Sequence, residues 1–175
     1  MKALFLDRDG IINIDHSYVY KIEDFEFVEG IFDLVKRFAD NGYLIFIITN
    51  QSGIGRGYYT EESFTTLTQW MIERFIQEGI HVEKVYYCPH SPETKCHCRK
   101  PETGMIDEAM KSYDIDLSRS WMIGDKQSDI DLAKNTDIGK SIYIGDKSVN
   151  NAIYSFKTIL ECKQYYLDHG ELIND

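Results

Sequence analysis

Basic residues are scarce in this 175-residue chain: 19 Lys and Arg stand against 29 Asp and Glu, for a formal net charge of −10 and a pI near 4.9. Nucleic-acid backbones and anionic membranes are held by basic surfaces, so neither is an expected partner. A small anion needs only a local cluster of cations, which Arg99-Lys100 supplies. Long hydrophobic runs are also lacking. Tyr43 to Ile48 falls far short of the ~20 apolar residues that a membrane span needs. The run after Met1 stops at Asp7, before a signal-peptide core can form, so the expected compartment is cytoplasmic. Cysteine is limited to four residues, which in a reducing compartment argues against a disulfide framework. Repeats, linkers and low-complexity stretches are absent. With 43% hydrophobic and 27% charged residues, the chain is read as one domain over 1–175, expected to be monomeric.

What is present is an alternation of apolar runs and amphipathic segments, the pattern of an α/β fold with a mainly parallel sheet covered on both faces. Five strands are read at Lys2 to Leu6, Leu44 to Thr49, Val82 to Tyr87, Trp121 to Ile123 and Ser141 to Ile144. Helices are read between and after them, at Ile31 to Asp40, Glu61 to Gln77, Met105 to Tyr113, Asp129 to Asn135 and Thr158 to Asp168, the last ending at His169-Gly170. Thr60 is the expected N-cap of the second, and Gly79 its stop. Asn13 to Gly30 forms one long insertion expected to line the mouth of a site, with Tyr18, Tyr20, Phe25 and Phe27 filling the edge of the core. For Asp15, His16 and Ser17, surface and site readings both stay open. Gly53-Ile54-Gly55-Arg56-Gly57 lacks the spacing of a dinucleotide fingerprint and is read as a flexible loop on the substrate side.

Chemistry collects at the strand ends. The first strand delivers Asp7-Arg8-Asp9-Gly10, the second Thr49-Asn50-Gln51-Ser52, and the fourth Gly124-Asp125-Lys126, while the third leads through a loop to Arg99-Lys100. In a parallel sheet these ends share one edge. Carboxylates brought together raise each other's pKa unless a cation or donors offset them, so Asp7 and Asp9 imply a metal, a shared proton, or both. Phosphoryl transfer needs a nucleophile, a divalent cation and several donors. Asp7 or Asp9 could attack phosphorus, Asp125 could complete an oxygen-only Mg²⁺ site, and Lys100 and Thr49 could hold the transferring oxygens.

In this order the motifs Asp7-Arg-Asp9-Gly10, Thr49-Asn50, Lys100-Pro101 and Gly124-Asp125 resemble the haloacid dehalogenase superfamily. The resemblance implies a three-layer Rossmann-like fold without a large cap, and a phosphatase working through an aspartyl-phosphate. It implies Asp7 as nucleophile, Asp9 as the acid and later the base, and Thr49 and Lys100 as stabilisers of the phosphoryl group. Mg²⁺ would be held by Asp7, the backbone carbonyl of Asp9, and Asp125. Ile11 departs from the pattern, which usually has Thr after the glycine.

Cys88-Pro-His90 followed by Cys96-His97-Cys98-Arg99-Lys100-Pro101 is similar to the zinc loop of small-capped members acting on histidinol phosphate or heptose bisphosphate. Three thiols and an imidazole suit a closed tetrahedral structural site. The family pattern selects Cys88, His90, Cys96 and Cys98, with His97 as a competitor, and places the loop at 88–101. Asp15-His16-Ser17-Tyr18, Asn50-Gln51-Ser52 through Gly57, Tyr86 to His90 and Gly124-Asp125-Lys126 look like the heptose bisphosphate branch, whereas the short loop also occurs in the histidinol phosphate branch. The resemblance assigns Asp15, His16, Ser17, Tyr18, Asn50, Gln51, Ser52, Arg99 and Lys126 to binding a small phosphorylated sugar. A second phosphate would occupy Arg99 and Lys126. A non-catalytic zinc-stabilised binding protein and a nucleic-acid end phosphatase are the readings of other kinds, the latter disfavoured by the charge.

Overall fold

Lys2–Leu6 forms β1 at the centre of the sheet in the computed structural model, which describes residues 1–169. The other strands are β2 (Tyr43–Asn50), β3 (Val82–Cys88), β4 (Trp121–Gly124), β5 (Lys140–Ile144) and β6 (Tyr154–Phe156). Their order is β3-β2-β1-β4-β5-β6, and every pairing is parallel. β6 lies outside the sequence expectation. At three residues, none fully buried, it is too short to show a period.

The helices are α1 (Ile31–Asp40), α2 (Ser52–Gly55), α3 (Glu61–Gln77), α4 (Gly104–Ser112), α5 (Gln127–Asn135) and α6 (Ile159–Asp168). Thr60 caps α3 by accepting from Ser63 N–H at 3.1 Å, and Thr158 caps α6 by accepting from Glu161 N–H at 3.1 Å. Gly79 takes the left-handed conformation just beyond α3, at φ 72°. Gly170, expected to stop α6, lies outside the described residues. The glycine-rich segment after β2 is not the expected flexible loop. Its first three residues, with Ser52 before them, wind into α2, tied to the neighbouring loop by Gly55 N–H donating to Pro89 O at 2.8 Å.

Side chains alternate across β1. Leu4 and Leu6 enter the layer of α1, α3 and α6, while Ala3 and Phe5 enter that of α4 and α5. Covering both faces explains why the central strands are apolar throughout. Among the described residues, no helix is long and apolar enough to cross a membrane.

From β1 the chain builds outward through β2 and β3, then crosses back to place β4, β5 and β6 on the other side. The reversal falls between β1 and β4, paired through Leu6 and Ile123. Open α/β sheets have a crevice at such a switch point, at the carboxyl ends of the strands.

Candidate active site and a cysteine-histidine cluster

Asp7 leaves β1 and Asp125 leaves β4 side by side at that crevice, with Asp7 N–H still on the ladder to Ile123 O at 3.0 Å. Gly10 lets the two turns meet. Its φ is +88°, and a Cβ there would lie 2.1 Å from Asp125 Oδ2, so no other residue fits without moving that carboxylate. Asp129, in the first turn of α5, reaches the same point across Gly124, whose Cβ would lie 2.2 Å from that of Asp129. One oxygen each from Asp7, Asp125 and Asp129 falls within 4.8 Å of the others. Asp129 was missed in the sequence, where it reads as an ordinary acidic residue at a helix start. Its signal was the spacing of four from Asp125 together with the glycine before that residue.

Lys100 is buried against this group. Its Nζ lies 2.8 Å from Asp7 Oδ1 and 2.7 Å from Asp129 Oδ1, and donates to Ile48 O at 2.8 Å. Burial pushes the Asp7 pKa up, but the charges of Lys100 and Lys126 outweigh it and hold the carboxyl below its ordinary value. Burial and the charge of Asp7 push Asp125 up to about 7 and Asp129 up to about 6. For Lys100 burial acts downward, and Asp129 and Asp7 more than reverse it. Three crowded carboxylates with no nitrogen or sulfur ligand among them form a donor set suited to a hard divalent cation.

Asp9 is held by three donors. Oδ1 accepts from Arg8 Nη2 at 2.8 Å and Asn13 Nδ2 at 3.0 Å, and Oδ2 accepts from Gln51 Nε2 at 3.0 Å. Gln51 is oriented in turn by a hydrogen bond from Tyr59 OH to its Oε1, and it also donates to Thr49 Oγ1 at 2.8 Å. Asn50 clamps the Lys100 backbone, accepting from its N–H at 3.0 Å and donating to its C=O at 3.3 Å. Asn50 and Gln51 therefore spend their amides on the protein.

A cleft of about 400 Å³ opens over these groups. Its walls bring together Asp15, Ser17, Tyr18, Ser52, Arg99 and Lys126 from the sequence expectation, along with Asn50 and Gln51. Tyr59 and Ser128 also line it and were not anticipated. His16 is not brought to this cleft. It lies in an adjoining depression 3.4 Å from Glu26. Arg99 Nη1 is buried without a hydrogen-bond partner.

At the end of β3, donor atoms of Cys88, His90, Cys96 and Cys98 also lie within 4.8 Å of one another. Cys88 Sγ is 3.4 Å from Cys96 Sγ and 3.5 Å from His90 Nδ1, and Cys98 Sγ is 3.6 Å from Cys96 Sγ and 3.2 Å from His90 Nδ1. Cys88 and Cys98 approach more closely, at 2.8 Å. Legs of ~2.3 Å in a tetrahedron give edges of roughly 3.7 Å, so the donor set and its dimensions are compatible with zinc. His97 stands outside, exposed and 2.9 Å from Asp107.

The family model described as HAD-hyrolase-like matches residues 97–147. A D-glycero-alpha-D-manno-heptose-1,7-bisphosphate 7-phosphatase of Campylobacter jejuni is 46% identical over 166 residues, 94% of this chain and 95% of that protein. A D-glycero-beta-D-manno-heptose-1,7-bisphosphate 7-phosphatase of Helicobacter pylori is 45% identical, covering 94% of this chain and 93% of its own. In fold, the chain is similar to the D,D-heptose 1.7-bisphosphate phosphatase of B. bronchiseptica, crystallised with magnesium and phosphate, with a TM-score of 0.82, 24% identity, and 97% and 99% of the two chains covered. A putative HAD-like phosphatase of Mesorhizobium loti gives a TM-score of 0.85 at 27% identity, over 100% of this chain and 88% of that one.

Proposed function

The chain belongs to the D-glycero-D-manno-heptose 1,7-bisphosphate 7-phosphatases of the HAD-like hydrolases, and on that premise we propose that it removes the 7-phosphate through an aspartyl-phosphate on Asp7. The product would feed nucleotide-heptose synthesis for surface polysaccharide in the cytoplasm. The observation that carries the mechanism is the buried pairing of Asp7 with Lys100, which keeps a carboxylate ionised where burial alone would protonate it.

Asp7 Oδ1 is engaged by Arg8 N–H and by Lys100, each at 2.8 Å, which leaves Oδ2 to attack phosphorus. As the P–O bond to the sugar breaks, the leaving oxygen takes a proton from Asp9, and the phosphoryl group becomes an acyl phosphate on Asp7. Asp9 then removes a proton from the water that attacks phosphorus, releasing phosphate and restoring both carboxyls. Two N–H donors occupy Asp9 Oδ1, so the transferred proton belongs on Oδ2, where Gln51 is the one donor. Lys100 and Thr49 steady the phosphoryl oxygens, and Asn50 and Gln51 position Lys100 and Asp9.

Mg²⁺ is typical of the superfamily, and here Asp7, the Asp9 carbonyl and Asp125 would hold it, neutralising charge on the phosphoryl oxygens. Asp129 supports that site through Lys100. Zn²⁺ in the Cys88, His90, Cys96 and Cys98 cluster would be structural, fixing the 88–101 loop of a single domain over 1–175. Asp15, Ser17, Tyr18 and Ser52 would contact the sugar. Arg99 and Lys126, cations of the cleft wall, would hold the second phosphate.

Phosphate release from both anomers of the bisphosphate and from histidinol phosphate, each with and without Mg²⁺, tests this reading. Mg²⁺-dependent release of the 7-phosphate, abolished in Asp7→Asn, is expected. Turnover by Asp7→Asn, or preference for histidinol phosphate, would refute it.

A further inference from the structure

Between the two catalytic aspartates stands an arginine that touches neither the cleft nor a surface. Arg8 is 1% exposed. Its Nη2 donates to Asp9 Oδ1 at 2.8 Å and to the backbone carbonyl of Val19 at 2.7 Å, and the guanidinium carbon lies 5.8 Å from the centre of the Phe25 ring. A buried cation survives in a protein only where partners replace its water, and here one partner is the Asp9 carboxylate and the other is the end of a strained segment. Ser17 and Tyr18 are consecutive non-glycine residues in the left-handed region, at φ 62° and 54°. Such a conformation persists where its flanks are held. Asp15 Oδ1 accepts from Ser17 N–H at 3.0 Å on one side, and Val19, 2% exposed, is held by Arg8 on the other.

We infer that Arg8 is a positioning residue that locks the Asp9 carboxylate to the substrate-side segment Ser17–Tyr18 through a single guanidinium nitrogen. The inference rests on the assignment of proton transfer to Asp9. Asn13 and Gln51 fix Asp9 to the rest of the site, but of its three donors only Arg8 is bonded also to the segment bearing Ser17 and Tyr18. A shift of that cleft wall therefore moves the donor on Asp9 as well. Lysine keeps the charge and enough donors, but its chain ends one bond short of the Arg8 Nη2 position and its ammonium lacks the flat guanidinium that lies near the Phe25 ring, so it does not hold both acceptors from that point.

The test is a double-mutant cycle on the full chain with Mg²⁺, using wild type, Arg8→Lys, Asp9→Asn and the pair, on heptose bisphosphate and on p-nitrophenyl phosphate. Arg8→Lys is expected to lower kcat by about tenfold or more on both substrates when Asp9 is present, and by less than about twofold in Asp9→Asn. KM is expected to rise for the bisphosphate, which reaches Ser17 and Tyr18, and to stay unchanged for the small ester. Equal losses of kcat with and without the Asp9 carboxylate, or equal changes of KM on the two substrates, would overturn the inference. Should Arg8→Lys not fold, Arg8→Gln, an uncharged donor, carries the same cycle. Failure of Asp9→Asn to impair turnover would instead overturn the role given to Asp9, and this inference with it.

Discussion

Lys100→Met removes the buried cation on which the carboxylate cluster depends while keeping most of the side-chain volume. Lys100 Nζ lies 2.8 Å from Asp7 and 2.7 Å from Asp129, and a buried pair broken on one side typically costs ~3–5 kcal/mol because the other charge is stranded. For a chain of this size that is a fall in Tm of roughly 6–20 °C, at ~2–4 °C per kcal/mol. The cost is pH-dependent, and its sign follows from the shifts. Asp7, depressed in the folded protein, contributes stability above its ordinary pKa of 3.8 that is lost as pH falls through the folded value. Asp125 and Asp129, raised to about 7 and about 6, do the opposite: without a divalent cation they draw stability away as pH rises from 3.8 through those values. Taking away Lys100 removes the charge that lowers Asp7 and Asp129, so all three carboxyls favour protonation. The full cost should then appear near about pH 8 and shrink near about pH 5 toward the ~1.5 kcal/mol or less of a volume-conserving swap. Urea denaturation of both proteins in Mg²⁺-free buffer at the two pH values measures it. A difference in stability that is the same at both, or below about 1 kcal/mol at the higher, would refute the reasoning.

Gly10→Ala would place a methyl 2.1 Å from Asp125 Oδ2 at a φ of +88°, costing about 1–2 kcal/mol in backbone strain and displacing the carboxylate. We expect Mg²⁺ affinity to fall at least about tenfold in activity titrations with the circular dichroism spectrum kept, and an unchanged Mg²⁺ dependence would contradict the close approach. Because Asp125 in the metal-free protein titrates at about 7, protons compete with Mg²⁺ below that pH, and the thermal shift on adding Mg²⁺ should grow from about pH 5.5 to about pH 8. A shift independent of pH would count against the site. Bound zinc should be stoichiometric by elemental analysis, and its removal by a chelator should raise amide exchange through 89–98 while leaving β1 protected; unchanged protection after complete removal would exclude a structural role for the cluster.

Legibility in the sequence followed the range of the interactions. The five longer strands and five longer helices could be read because apolar periodicity and a cap such as Thr60 are local properties. The cluster of Cys88, His90, Cys96 and Cys98 was legible because it falls within eleven residues, though it was the family pattern and not the spacing that chose His90 over His97. Asp129 was not, since an acidic residue in a first helical turn looks the same whether it caps the helix or is buried against Lys100. His16 and Gln51 both stood in stretches that match a binding pattern, yet one faces Glu26 outside the cleft and the other spends its amide on Asp9, Thr49 and Tyr59. β6 and α2 were too short for any period to emerge.

By itself the sequence determined the layering of the protein and which polar groups the strand ends carry, because burial on both sheet faces restricts residue type position by position and leaves the strand exits as the places where carboxylates, amides and hydroxyls collect. Tertiary structure alone decided which carboxylates share a site and what offsets their charge. Asp7, Lys100 and Asp129 lie far apart along the chain, and whether each is ionised depends on the strand order that puts β1 beside β4 and on the burial that follows from it.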